Sequence, residues 1–251
     1  MNAQQHMSPA ERLRHMHDLL AKAYGPQHWW PGDTPFEVIL GAFLTQNTSW
    51  KAAEKSLANL KAAGVVNFER LRTVSVADLQ SLIRPSGFFT RKAPALKAFA
   101  HMLVAEFCGS LDTLASMGTR ALRQKLLSLP GVGLETADAI LLYALQHSVP
   151  VADEYLRRIV ERHELLFPAP RRNRSGYESL VQLTQKAFAA DPECRRIELY
   201  NEFHALTVAV GKAHCGRMPD CSGCPLAHDL SEYSGENSTP TGHRRQSRSV
   251  R

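Results

Sequence analysis

Apolar residues recur at helical spacing along almost the whole chain. Leu13, Met16, Leu19 and Leu20 form one stripe behind Ser8-Pro9-Ala10-Glu11, a capping box with proline at the first helical position. Thr34-Pro35 opens a strongly apolar helix over 36–44, and 51–62 alternates apolar and charged positions up to Gly64. Further helical patterns run over 75–83, 92–106, 119–127, 135–146, 154–165, 177–189 and 196–213. No segment shows the period of two that a half-buried strand needs, so the fold class expected is all-α. Pro168-Ala169-Pro170-Arg171-Arg172-Asn173-Arg174 reads as a basic, proline-rich linker. Apolar periodicity stops at Tyr233, so 234–251 is expected to be a disordered tail.

Composition narrows the class. The chain has 251 residues, 44% hydrophobic and 22% charged, enough for one large domain or two smaller lobes around a buried core. No apolar run reaches the roughly 20 residues of a membrane span. Met1-Asn2-Ala3-Gln4-Gln5 lacks the basic and apolar segments of a secretory signal, so a cytoplasmic protein is expected, and a monomer. Half of the net charge of +6 sits in the tail, where Arg244, Arg245, Arg248 and Arg251 face only Glu236. A mildly basic body suits a polyanionic partner without requiring one.

Three of the five cysteines, Cys215, Cys221 and Cys224, fall within ten residues. Without a secretory signal this clustering reads as metal or iron–sulfur ligation sooner than as a disulfide framework. Cys108 reads as an ordinary buried cysteine.

Leu129-Pro130-Gly131-Val132-Gly133 separates two amphipathic helices. Two glycines at this spacing permit a tight turn that bares backbone N–H groups, and the next helix brings its positive end to the same spot. Together these can hold a backbone phosphate, although an ordinary helix–turn–helix corner needs glycine as well. About twenty residues further on, Val149-Pro150-Val151-Ala152-Asp153 leads into a helix beginning Glu154-Tyr155-Leu156-Arg157-Arg158.

This order resembles the helix-hairpin-helix DNA glycosylases related to endonuclease III. The resemblance runs from about Trp29 to Cys224 and includes Leu44-Thr45-Gln46-Asn47-Thr48 and Gly87-Phe88-Phe89-Thr90-Arg91-Lys92-Ala93. It implies a two-lobe fold with a cleft between a helical barrel (32–148) and a second lobe (1–31 with 149–233). The implied partner is double-stranded DNA containing damaged bases, gripped mainly through phosphates and read after base flipping.

By the same resemblance Asp153 is the catalytic carboxylate, able to stabilise a cationic sugar and to orient or deprotonate water. Aspartate is equally favoured as a helix N-cap, and both roles are compatible. Endonuclease III carries a lysine two residues after the second glycine, which forms a Schiff base; this chain has Glu135 there. A carboxylate cannot act as that amine, so a monofunctional glycosylase is expected.

Trp29-Trp30-Pro31-Gly32, Trp50 and Glu135-Thr136-Ala137-Asp138 narrow the resemblance to the 3-methyladenine DNA glycosylase III subgroup. There Trp29, Trp30, Pro31 and Trp50 would line the base pocket, suited to an alkylated purine by stacking and cation–π attraction; as alternatives they are packing anchors. Lys212 corresponds to a pocket lysine or is a surface lysine at a helix end, and Gln46 to the residue that fills the gap left by the flipped base. An endonuclease III-like enzyme for oxidised pyrimidines and a non-catalytic DNA-binding relative are the rival readings.

Endonuclease III holds a four-cysteine [4Fe–4S] cluster with six, two and five intervening residues. This chain offers five and two, then Ser231 about where the fourth cysteine belongs. Three outcomes stay open: a cluster with an atypical fourth ligand such as Cys194, a zinc site completed by His214 or His228, or a loop without metal. The hydrolysis itself requires no cofactor.

Overall fold

A computed structural model describes residues 7–233, which are helical with no strand among them. The tail from Ser234 lies outside the described residues. α1 (Pro9–Tyr24) begins with the capping box: Ser8 Oγ accepts from Glu11 N at 3.3 Å, and Glu11 Oε2 accepts from Ser8 N at 2.7 Å. α2 (Pro35–Leu44) is capped by Thr34 and buried on every side beyond its first residue, which explains its lack of a polar face. Around it pack α3 (Trp50–Ala62) and α6 (Phe89–Phe107). The short α4 (Phe68–Thr73), α5 (Val76–Leu82) and α7 (Leu111–Ala115) close this part of the core, followed by α8 (Thr119–Leu127).

α9 (Leu134–Ala139) widens into a π turn over Ile140–Ala144, so the single helix expected over 135–146 is two segments. Beyond it lie α10 (Glu154–Arg162), α11 (Arg174–Ala187), α12 (Glu193–Ala213) and α13 (Ala227–Tyr233). α1 packs on α11 and α12 rather than on the helices that follow it in sequence. The two sets of helices meet where α12 touches the π turn.

Two buried polar ties fix this arrangement. Lys92, only 2% exposed, donates to the carbonyls of Leu44 at 2.8 Å and Ser86 at 2.7 Å, anchoring the end of α2. Burial pushes its pKa down to about 8. Arg12 of α1 donates to both oxygens of Asp229 (3.1 and 2.6 Å), and His163 Nδ1 lies 2.7 Å from the same carboxylate.

Cys108 departs from expectation. It is exposed, in the left-handed conformation (φ 51°) that ends α6, so its side chain points away from the core.

Candidate active site

The turn between α8 and α9 depends on Gly131, whose φ of 75° suits glycine and whose Cβ position is only 3.1 Å from Ala95 Cβ. Val132 is buried and anchors the turn, while Pro130, Gly131 and Gly133 face solvent beside the half-buried Leu129. Gln46 does not project freely: its Nε2 donates to Gly131 O at 3.0 Å and to Thr136 Oγ1 at 2.9 Å. Behind the turn Arg123 of α8 grips the fully buried Asp138 at 2.6 and 2.8 Å, and the Tyr177 hydroxyl donates to the same carboxylate at 2.9 Å. Burial raises the Asp138 pKa against the pull of Arg123 and Tyr177.

Val149, Pro150, Val151 and Ala152 are all buried, so the extended run into α10 is clamped on both sides. Asp153 follows as the N-cap of α10. Its Oδ1 accepts from Leu156 N at 2.8 Å, and its Oδ2 lies 3.7 Å from His204 Nε2. One carboxyl oxygen thus closes the helix and the other faces His204.

Asp153 borders a cleft of about 370 Å³ that also meets Gly133, Glu135, Arg171, Arg172 and Tyr177. The hairpin and the 168–174 segment therefore face each other across the carboxylate. Arg172 is paired with Glu154 at 2.6 Å. Glu135 is open to solvent at its own surface, but the cleft walls crowd it and the Asp153 carboxylate adds like charge. Together they push its pKa up to about 7.

Across Asp153 stands an aromatic cluster. Ring centroids are 5.5 Å apart for Trp29–Trp30, 5.6 Å for Trp30–Trp50 and 6.4 Å for Trp29–Trp50. Trp30 lies against α2 because residue 41 is glycine; a Cβ there would come within 2.9 Å of the indole Nε1. Pro31 and Trp50 share a shallow depression on the outer side. The Lys212 ammonium sits over the Trp29 ring, 5.9 Å from its centroid. Sequence spacing left two members unread. Tyr143 packs 5.1 Å from Trp30, and His204 packs 6.5 Å from Trp29 and hydrogen-bonds the Tyr143 hydroxyl. An Ile-Leu-Leu-Tyr run and a lone histidine in an apolar helix both look like core.

The C-terminal cysteines come to one small cavity of about 140 Å³, with His163 and His214 in its wall. They do not fit a four-thiolate cluster. Arg162 Nη1 donates to Cys215 Sγ at 2.9 Å and its Nη2 to Gly216 O at 2.9 Å, so a guanidinium braces the loop. Burial pushes the Cys224 thiol up. Cys194 begins α12 whereas Cys215 follows its end, roughly 30 Å along the axis, which removes it as fourth ligand. His214 Nδ1 lies 3.1 Å from the Asp220 carbonyl, and no group of three or more His, Cys, Asp or Glu among the described residues is placed to hold a metal.

The family of HhH-GPD superfamily base excision DNA repair proteins matches residues 40–181. A Methanocaldococcus jannaschii protein provisionally named a DNA repair glycosylase is 36% identical over 218 residues, covering 86% of this chain and 94% of that one. The crystal structure of H. pylori 3-methyladenine DNA glycosylase (MagIII) bound to 1,N6-ethenoadenine is similar at TM-score 0.69 and 30% identity, covering 82% of this chain and 98% of that one. A non-covalent endonuclease III–DNA complex gives TM-score 0.69 at 21% identity over 88% and 95% of the two chains, a likeness of fold.

Proposed function

This chain belongs to the HhH-GPD superfamily of base excision DNA repair proteins, and on that premise we propose that it excises an alkylated purine from duplex DNA by hydrolysis, without cutting the strand. The carrying observation is the placement of Asp153, its Oδ1 fixed by Leu156 N while Oδ2 stays available between the hairpin cleft and the tryptophan cluster. A base flipped into that cluster leaves its C1′ beside the carboxylate. As the glycosidic bond stretches, positive charge builds on the sugar, and a fixed anion at that point lowers the barrier. Asp153 also orients the water whose oxygen bonds to C1′ and takes the proton that the water gives up, while the base departs with the bonding electron pair.

Glu135 supports the absence of Schiff-base chemistry, because a carboxylate offers no amine to attack C1′. The tryptophan faces support a purine lesion, by stacking over a broad π surface. Lys212 qualifies this: its ammonium already covers Trp29, so a cationic base finds its attraction on Trp30 and Trp50, and an uncharged lesion escapes repulsion. That observation favours, as a second reading, uncharged substrates such as etheno-purines or oxidised pyrimidines.

The test is incubation of the protein with duplexes carrying 3-methyladenine, 1,N6-ethenoadenine or thymine glycol, with breaks scored before and after hot alkali. Breaks at the purine lesions that need alkali support the proposal. Alkali-independent cutting at thymine glycol contradicts both the substrate class and the monofunctional chemistry.

A further inference from the structure

We propose that His204 is a positioning residue for Asp153, its Nε2–H aimed at the carboxylate by a hydrogen bond from Tyr143 at the other end of the ring. This rests on the excision chemistry assigned to Asp153 above. Three observations carry it. His204 is buried in the middle of α12, the helix that meets the π turn carrying Tyr143. Its Nδ1 is hydrogen-bonded to the Tyr143 hydroxyl, while its Nε2 lies 3.7 Å from Asp153 Oδ2. The ring also packs against Trp29 and Tyr143, which fixes its plane.

The assignment of protons follows from counting donors. A neutral imidazole has one N–H and one lone pair, and the side facing Asp153 must carry the N–H, since a lone pair there would repel the carboxylate. Nδ1 is then the acceptor, and the Tyr143 O–H is the donor that satisfies it. The 3.7 Å gap exceeds a formed hydrogen bond, as is common before substrate closes a site, and a small side-chain rotation closes it. Leu156 N on Oδ1 and His204 Nε2 on one lone pair of Oδ2 then fix the plane of the carboxylate, and the other lone pair of Oδ2 stays available toward C1′ and the water.

The charged and titratable groups around His204 come from each packed element: Asp153 at the start of α10, Glu135 on α9, Tyr143 in the π turn and, on α12 itself, Glu202 and Lys212.

Two measurements test the proposal. In the DNA-free protein at pH 7.5, long-range 1H–15N correlation spectra of 15N-histidine, assigned by loss of the signal in His204→Phe, are expected to show Nε2 protonated and Nδ1 bare. A ring protonated on Nδ1, or on both nitrogens, overturns the proposal. In single-turnover excision, His204→Phe keeps the ring packing but removes the donor, and is expected to slow release about 30-fold. Its affinity for a duplex with a tetrahydrofuran abasic analogue should change less than about threefold. His204→Gln retains an N–H and is expected to recover at least about fivefold of the loss. Equal rates in the Phe and Gln variants, or a loss matched by the abasic-duplex affinity, reduce His204 to packing and overturn the proposal. If the unaltered protein releases no base from any duplex, the excision reading itself fails, and the spectra still decide the ring's protonation.

Discussion

Glu135 lines the cleft beside Asp153, and crowding together with the Asp153 charge pushes its carboxyl up to about 7. Below pH 7 it is largely protonated; above, its anion adds to the potential that stabilises a cationic sugar. Single-turnover excision is therefore expected to rise between about pH 6 and pH 8, and Glu135→Gln is expected to flatten that rise. A pH–rate profile of the two proteins checks it; identical profiles would mean that Glu135 does not act on the reaction. The same residue predicts that borohydride traps no covalent adduct of the unaltered protein with abasic-site DNA. The nearness of Asp153 to the tryptophans was foreshadowed in the sequence because motifs flank each of them. His204 was not, since a histidine among apolar neighbours on α12 carries no spacing signal, and its role follows only from what α10 and the π turn bring to it.

At the scale of elements, the hairpin and the 168–174 segment form the two banks of the cleft. Gly131→Ala forces a side chain into a left-handed backbone and against Ala95, at a cost of about 1–2 kcal/mol in stability by denaturant melts. Lys92 ties α2 to the turn before α6, and its lowered pKa fixes the sign of a pH effect. Between about pH 8 and pH 10.5 the folded protein releases a proton that the unfolded chain keeps, so stability gains from this residue as pH rises through that window. Lys92→Met should lose that gain, which melts at several pH values relative to the unaltered protein will show. The long helices were legible because their stripes extend over several turns. α4 and α7, of six and five residues, offer barely more than one turn each, too little periodicity to recognise, and their place is set by packing on α6. Cys108 departs from the buried setting its neighbours suggest: Phe107 and Met102 are core, while helix termination turns Cys108 itself outward.

For the whole molecule, the division of labour is between a set of helices around α2 and a second set formed by α1, α10, α11 and α12, with Asp153 where they meet. DNA held across that junction must touch both banks. Arg171 lines the cleft and its guanidinium, unlike that of Arg172, makes no hydrogen bond or ion pair among the described residues, which leaves it placed to meet a phosphate. Arg171→Ala is expected to weaken binding of every duplex alike and to reduce the slope of log K against log salt by about 1. The order of motifs made the architecture legible; the brace of Arg162 on Cys215 was not, because it is a contact between distant segments that no spacing encodes. On the proposed reading one carboxylate, Asp153, performs the excision. Its most direct test compares the unaltered protein with Asp153→Asn on a duplex carrying 3-methyladenine, scoring alkali-dependent breaks in a single turnover. Asparagine still caps α10 through its side-chain oxygen, so the variant should fold and bind the duplex with near-normal affinity while excising at least about 100-fold more slowly. Excision at an undiminished rate by a folded Asp153→Asn protein would contradict the account.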